Sequence, residues 1–205
     1  MNQDYSVVRP QESVLATNKL IKNTYILLSM TLLFSAFTAG LSMVFNLPHP
    51  GMILTLVGYF GLLWATTKFA NSSWGLLCVF ALTGFMGLTI GPIISAYTQA
   101  FSNGDQLVMM AMGGTGVIFL GLSGYALSSR KDFSFMGGFL MVGILVAFLA
   151  GIGAAIFSIP ALSLAVSAMF ILLMSGLILY QTSAMVHGGE TNYIMATVGL
   201  YVSIY

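Results

Sequence analysis

Six long apolar runs determine what this chain can fold into. Each holds about 20 residues, enough at ~1.5 Å per helical residue to cross the ~30 Å hydrocarbon layer of a bilayer. Of the 205 residues, 58% are hydrophobic and only 5% are charged, too few to cover a water-soluble domain. We therefore predict an all-α, polytopic membrane protein with these spans: Tyr25–Phe45, Met52–Thr67, Gly75–Phe101, Gln106–Ser128, Phe135–Phe157 and Ala161–Met185.

The basic residues lie on alternate connections between these spans. They lie before span one, between spans two and three, and between spans four and five: Arg9, Lys19, Lys22, Lys68, Arg130 and Lys131. The opposite connections, 46–51, 102–105 and 158–160, contain no lysine or arginine. Because basic loops stay on the cytoplasmic side of a membrane, this pattern predicts a cytoplasmic N-terminus.

The composition excludes several classes of protein. A net charge of +1 is too small for a nucleic-acid-binding face, and the high hydrophobic content is the opposite of a disordered chain. The single cysteine, Cys78, can form neither an internal disulfide nor a thiolate metal site. We therefore expect no nucleic-acid partner, no metal and no cofactor.

A polar segment precedes the spans and a short apolar run follows them. We expect residues 1–18 to form a cytoplasmic polar tail that becomes helical near Ser13 or Thr17, followed by a transmembrane domain over residues 19–205. The last run, from Tyr193 to Tyr205, has 13 residues, or about 20 Å of helix, which is too short to cross. The expected fold is a seven-helix transmembrane bundle whose seventh helix is cut short at the end of this chain.

Small residues predict where the helices pack closely. A four-step ladder on span five, Gly143, Ala147, Gly151 and Ala155, and the pair Gly87 and Gly91 on span three allow helix backbones to approach each other. Pro92 follows that pair and is expected to kink span three. The glycines at 113, 114 and 116 of span four are expected to pack as well, since an apolar helix does not form a phosphate-binding loop.

Catalytic chemistry is not expected. All five acidic residues fall in the tail or the loops, whereas ion and proton pathways usually place ionisable groups inside the membrane. Gly121-Leu122-Ser123-Gly124 matches the short serine motif of rhomboid proteases, and His187 follows span six. A nucleophilic serine needs a base within about 3 Å, and Ser123 and His187 belong to different helices and loops. We interpret Ser123 as a packing residue and Glu190 as a favourable charge at the N-terminus of the seventh helix.

Three longer motifs carry a family resemblance. They are His187-Gly188-Gly189-Glu190-Thr191-Asn192-Tyr193-Ile194 with Leu200-Tyr201-Val202-Ser203-Ile204-Tyr205, Thr83-Gly84-Phe85-Met86-Gly87 with Gly91-Pro92-Ile93, and Arg130-Lys131-Asp132-Phe133-Ser134-Phe135 with Gly137-Gly138. With these motifs the chain resembles the Bax inhibitor family, and within it the bacterial YccA branch, from about Lys19 to Tyr205. The family chain continues past Tyr205, so the resemblance also implies that this sequence ends before the protein does.

The resemblance implies a location and a partner. It implies a seven-helix protein of the bacterial inner membrane, without enzymatic activity, that binds and restrains the membrane-anchored AAA protease FtsH. The alternative is a cation (calcium) leak channel of the same fold. Other branches of the family gate such a leak with two aspartates that share a proton, and the matching positions here are Gln181 and Ser203. Neither side chain can ionise, so that pH sensor is not expected to operate at this pair.

Overall fold

Seven helices form the part of the chain that the structure describes. It is a computed structural model, which describes the backbone of residues 8–205 and the side chains of residues 14–205. The helices are α1 (Val8–Val44), α2 (Met52–Phe69), α3 (Ser73–Ala100), α4 (Gly104–Ser129), α5 (Met136–Ile156), α6 (Pro160–Val186) and α7 (Tyr193–Ile204). Apart from the start of α1, every predicted end lies within two residues of the observed one. The predicted all-α, polytopic fold is confirmed.

Six of these helices are long and apolar enough to cross a membrane, and α7 is shorter. Many of their large apolar side chains face outwards, for example Ile53 at 80% exposure and Leu164 at 74%. Such a surface would be unfavourable in water and is suited to contact with lipid acyl chains.

The first helix begins earlier than the sequence predicts. The expected start near Ser13 or Thr17 is wrong, because α1 already begins at Val8. Pro10 falls in the first turn of the helix, where a residue without an amide proton is tolerated because no intrahelical acceptor is available to it. The expectation of a polar tail over residues 1–18 falls partly on residues 1–7, which lie outside the described residues.

The first of two compact units contains α1, α2, α3, the part of α4 up to Gly114, and residues 190–202 of the α7 region. Its core consists of side chains that are almost completely buried: Leu28, Val79, Leu82, Ile194, Leu200 and Tyr201. Helices α1 and α3 approach closely at Gly87. A methyl group there would collide with the Thr38 hydroxyl and the backbone carbonyl of Ser35.

The same crossing resolves the problem that Pro92 creates within α3. Proline has no amide proton, so the carbonyl four residues earlier, that of Leu88, loses its helical donor. The buried hydroxyl of Ser42 on α1 donates to this carbonyl at 3.0 Å. Gly91 permits the approach, because a Cβ there would lie 2.7 Å from both the Ala39 carbonyl oxygen and the Ser42 Cβ.

The second compact unit contains residues 115–189 and 203–205, and therefore the rest of α4 together with α5 and α6. Its core joins α5 and α6 through Leu140, Ala147 and Leu173. Partly buried side chains surround these three: Met136, Ile144, Phe170, Leu177 and Tyr180. Tyr180 alone among these eight residues carries a hydroxyl group, in contrast to the many hydroxyl groups between α1 and α3.

Candidate functional site

Asn192 organises the start of α7. Its Oδ1 accepts hydrogen bonds from the amides of Ile194 (2.9 Å) and Met195 (3.2 Å), so Asn192 is the N-cap of this helix. Its Nδ2 donates to the Ala70 carbonyl at 3.0 Å and to Asn71 Oδ1 at 2.8 Å in the turn between α2 and α3. One amide side chain therefore starts α7 and fixes it to that turn.

Glu190 binds the backbone directly before this N-cap. Glu190 Oε1 accepts hydrogen bonds from the amides of Thr191 (2.8 Å) and Asn192 (2.7 Å), which places its negative charge just before α7. The positive end of the helix dipole favours a carboxylate at this point. The interpretation of Glu190 as a favourable charge at the start of the seventh helix is confirmed.

Tyr201 ties α7 to the crossing of α1 and α3. Its side chain is 1% exposed, and its hydroxyl lies 2.6 Å from Ser35 Oγ and donates to the Thr83 carbonyl at 3.3 Å. One helical turn earlier, the Thr197 hydroxyl contacts the carbonyls of Tyr193 (2.7 Å) and Thr24 (3.3 Å). These bonds fix the rotation of α7 about its axis.

Gln181 and Ser203 contact each other through a neutral hydrogen bond. Ser203 Oγ donates to Gln181 Oε1 at 3.4 Å, with Ser203 buried and Gln181 half-buried. Ser203 also lines a cavity of about 240 Å³ together with polar and aromatic groups that include Thr115, Ser175 and Tyr205. The side chains of Gln181 and Ser203 therefore meet in the structure, and neither of the two can ionise.

His187 lies at the C-terminus of α6 and contacts the turn between α4 and α5. Its Nε2 lies 3.0 Å from the Arg130 carbonyl oxygen, and its Nδ1 lies 2.9 Å from the Ser183 carbonyl oxygen. The Ser183 hydroxyl donates to the Lys131 carbonyl at 3.2 Å and accepts from the Phe133 amide at 2.9 Å. The turn is thus held by α6 through two side chains.

Gly188, after His187, and Asp132, in the turn between α4 and α5, each have a local structural role. Gly188 adopts φ +77°, which a glycine accommodates without strain, and it is exposed. Asp132 accepts a 2.8 Å hydrogen bond from the Ser134 amide, and this bond together with a contact to the Ser134 side chain holds the pKa of its carboxyl below the ordinary value. The nearby His187 contributes to that lowering to a smaller extent.

The hydrogen bonds do not favour a catalytic serine. Ser123 Oγ is buried and has no hydrogen-bond partner among the described residues. Ser183 does lie beside a histidine, 3.3 Å from His187 Nδ1, but it is 1% exposed and its oxygen already accepts the Phe133 amide. A nucleophile needs a free, accessible oxygen. Among the described residues, no three His, Cys, Asp or Glu side chains converge as metal ligands.

The small-residue ladder on α5 packs over only part of its length. A Cβ on Gly143 would lie 2.6 Å from Leu173 Cδ2, Ala147 is completely buried, and a Cβ on Gly151 would make an ordinary 3.5 Å contact with Val166. Ala155 is exposed and Ala154 is buried instead, so the assignment of Ala155 to helix packing is wrong. At about 100° per residue, each step of four drifts by about 40°, and three steps leave the buried face.

The glycines of α4 also differ from expectation. No atom of the described residues lies within 4 Å of a Cβ built at 113, 114 or 116, so these three glycines do not pack against a neighbour in the described part of the chain, contrary to the prediction. Glycine content alone does not distinguish a packed face from an open one. The contact between Gly87 and α1 is different because a hydroxyl-rich face lies opposite.

The structure also shows contacts that the sequence analysis did not predict, two of them made by residues of the family motifs, Asn192 and Tyr201. Asn192, Tyr201 and Ser42 each join elements that are far apart in the chain. A sequence signal existed for Asn192, since an asparagine directly before an apolar run is a typical N-cap. No local signal identifies the partners of Tyr201 or Ser42, because their bonds depend on how three helices pack.

Six helices that are long and apolar enough to cross a membrane, together with a shorter seventh, define a polytopic membrane protein. A family model described as "Inhibitor of apoptosis-promoting Bax1" matches residues 17–205. The chain therefore belongs to the Bax inhibitor family, as its motifs indicate.

Individual relatives support the same family. The "Modulator of FtsH protease YccA" of Escherichia coli is 51% identical over 205 residues, which cover 100% of this chain and 93% of that protein. An uncharacterized protein of Pseudomonas aeruginosa is 49% identical over 186 residues, 91% of this chain and 83% of that protein. "Protein lifeguard 4" of the mouse is 28% identical over 193 residues, 90% of this chain and 79% of that protein.

Proposed function

We propose that this chain is an inner-membrane protein that binds a membrane-anchored AAA protease of the FtsH type and restrains its degradation of other membrane proteins. The observation that carries the proposal is the 51% identity, over the whole of this chain, to a protein named as a modulator of FtsH protease. A second relative of the same identity is named an inner membrane protein. We also propose that the N-terminus is cytoplasmic, since all six basic residues belong to segments on one side.

The length of α1 supports a contact on the cytoplasmic side. Its 37 residues correspond to about 55 Å of helix, whereas the hydrocarbon layer is about 30 Å thick. The apolar part from Val14 to Val44 begins near the N-terminus. The polar first turns of α1 therefore extend beyond the membrane, where a cytoplasmic ATPase domain could engage them.

The packing of the first unit supports restraint after engagement. An AAA protease removes a membrane protein by pulling on it, and α1 is held by the Gly87 crossing and by the bonds of Ser35 and Ser42. A protein that resists extraction occupies the protease and delays its other substrates. This mechanism requires no catalytic group in the chain.

The neutral pair Gln181 and Ser203 gives no support to the channel alternative. A carboxylate pair changes charge with pH through coupled titration, whereas a serine bonded to a glutamine at 3.4 Å does not. No observation on the described residues favours a calcium leak over the protease contact.

A pulse-chase of an unrelated FtsH membrane substrate tests the proposal in cells. We expect overproduction of the full chain to lengthen the half-life of that substrate, compared with equal overproduction of an unrelated six-span membrane protein. Deletion of residues 2–12 should leave the chain in the membrane, extend its own lifetime and abolish the effect. Equal substrate half-lives, with the full chain confirmed in the membrane, would contradict the proposal.

A further inference from the structure

An open groove lies between α5 and α6, at the end of these helices that adjoins the turn formed by residues 130–134. Its volume is about 600 Å³. The residues that line it include Ser134, Gly138, Leu140, Met141, Leu177 and Tyr180. Leu140 is buried at 2% exposure, whereas Met141 is 74% exposed. The groove therefore opens towards the lipid that surrounds the helices.

Glycine at position 138 keeps this groove open. A Cβ built on the neighbouring Gly137 would already lie 3.0 Å from the Tyr180 ring. A Cβ built on Gly138 would meet no atom of the described residues within 4 Å. An ordinary apolar side chain would therefore fit at position 138 and fill the groove, and its absence leaves room for an apolar group from outside the chain.

The groove has the depth of one leaflet of a bilayer. Ser134 and Ile144 both line it, and a helix rises about 15 Å between two such positions. This is half of the ~30 Å hydrocarbon layer. The Phe133 ring lies 6.1 Å from that of Tyr125 and 6.5 Å from that of Phe135, and aromatic residues are enriched at the membrane–water interface. The groove thus runs from the level of the lipid headgroups to the middle of the bilayer.

Two cations lie at the headgroup end of the groove. Arg130 and Lys131 precede Ser134 on the same turn, and both side chains are exposed. Neither side chain forms an ion pair or a hydrogen bond with another described residue. The carboxylate of Asp132 offsets one of the two charges, but it is engaged by the Ser134 amide. The turn therefore carries a net positive charge that an anion can neutralise.

Hydrogen bonds to α6 hold this basic pair beside the groove. The Ser183 hydroxyl donates to the Lys131 carbonyl, and His187 Nε2 lies 3.0 Å from the Arg130 carbonyl oxygen. Tyr180 lies on α6 less than one turn before Ser183 and lines the groove, and its hydroxyl has no hydrogen-bond partner among the described residues. Cations, a free hydroxyl donor and an apolar channel therefore lie next to one another at this end of α6.

We propose that this groove binds one anionic phospholipid, with an acyl chain between α5 and α6, the phosphate at Arg130 and Lys131, and a phosphate or ester oxygen accepting the Tyr180 hydroxyl. Basic pockets between transmembrane helices recognise anionic headgroups in this way. A zwitterionic lipid fits the same groove but gains less from the two cations, because its headgroup carries a cation of its own. The site is independent of the contact with a protease.

Native mass spectrometry of the purified full chain, titrated in detergent with phosphatidylglycerol or with phosphatidylcholine of the same acyl chains, tests the headgroup preference. We expect one retained phosphatidylglycerol whose Kd is about tenfold lower than that of phosphatidylcholine. Arg130→Gln together with Lys131→Gln should abolish this preference. The matched control, Lys19→Gln with Lys22→Gln, removes two exposed cations from α1 and should keep it. Equal retention of both lipids by the parent, or equal losses in the two double variants, would overturn the proposal.

The acyl-chain part of the site has its own variant. Gly138→Leu should fill the groove and raise the Kd of both lipids about tenfold, the effect of about two methylene groups kept out of it. Gly153→Leu is the matched control, because Gly153 lies on the same helix outside the groove and no atom of the described residues comes within 4 Å of its Cβ position. Unchanged retention by a folded Gly138→Leu would show that the lipid does not enter between α5 and α6.

Photo-crosslinking of the unaltered chain covers the case in which Gly138→Leu fails to fold. Phosphatidylglycerol with a diazirine on its acyl chain is incorporated into nanodiscs with the chain, and the labelled residues are identified by mass spectrometry. We expect Met141, in the groove, to be labelled well above Val142, which is 64% exposed on the same helix but outside the groove. Equal labelling of these two residues would indicate ordinary contact with bulk lipid and refute the site.

Discussion

Gly87 lies where α3 crosses α1 so closely that a Cβ atom at this position would collide with α1. The α1 backbone and the Thr38 hydroxyl occupy the space that a Cβ would need. Without a hydrophobic drive between helices in lipid, such close contacts supply much of the association energy. The sequence predicted small-residue packing at Gly87 and Gly91, because the four-residue spacing puts both on one face.

Gly87→Ala should destabilise the protein in detergent. The obstacle is backbone rather than the end of a flexible side chain, so we expect a loss of about 1–3 kcal/mol and a lower Tm. Gly61→Ala is the matched control, since Gly61 lies in helix α2 and no atom of the described residues comes within 4 Å of its Cβ position. Equal melting of the two variants, measured by circular dichroism, would show that α1 and α3 do not cross at Gly87.

The hydrogen-bond partners of the buried hydroxyl side chains could not be predicted from the sequence. Ser35, Ser42 and Tyr201 look like ordinary members of apolar helices in the sequence. Their hydrogen bonds join residues 46 and 166 positions apart, so the partner of each depends on the crossing geometry. The cap at Asn192, by contrast, is a local signal and was predictable.

At the scale of elements, α3 remains a helix through Pro92 because α1 replaces the missing bond. The helix runs from Ser73 to Ala100, and Ser42 supplies the proton that the Leu88 carbonyl would otherwise lack. Proline in a transmembrane helix is tolerated when a neighbouring hydroxyl satisfies the freed carbonyl. The sequence predicted the disturbance at Pro92 but not the residue that compensates for it.

A double-mutant cycle tests this compensation. Ser42→Ala should cost about 1 kcal/mol in the parent, because the part-buried Leu88 carbonyl is left without its donor. In Pro92→Ala, residue 92 regains an amide that can serve the same carbonyl, so Ser42→Ala should cost much less. Unfolding in mixed micelles measures the four variants. Additive costs, with no coupling between the two sites, would refute the compensation.

The sequence predicted where the helices begin and end better than it predicted which face of each helix packs against a neighbour. Span ends follow from where apolar residues stop, and they agree with the structure to within two residues at eleven of twelve positions. The prediction that Ala155 packs on α5 did not hold, because residues spaced four apart drift around a helix that has 3.6 residues per turn. The predicted start of α1 was too late, because Pro10 is tolerated in the first turn of a helix and does not prevent α1 from beginning at Val8.

At the scale of the whole molecule, the charge pattern predicts which loops face the cytoplasm. In a background without Cys78, Asn103→Cys should react with an impermeant thiol reagent added outside intact cells, and Ser73→Cys should not. Both residues are exposed, and Ser73 is preferable to its neighbour Ser72, which caps α3 through the Trp74 amide. Labelling of Ser73→Cys without permeabilisation would invert the proposed topology.

The most direct test of the central claim is reconstitution. The purified full chain is incorporated into proteoliposomes with FtsH and an unrelated membrane substrate, and the initial rate of substrate cleavage is measured against the ratio of chain to protease. We predict that the rate falls in a saturable manner as this ratio rises, and that the variant lacking residues 2–12 leaves it unchanged. A cleavage rate that is independent of the ratio, with the chain folded in the same membrane, would contradict direct restraint of FtsH.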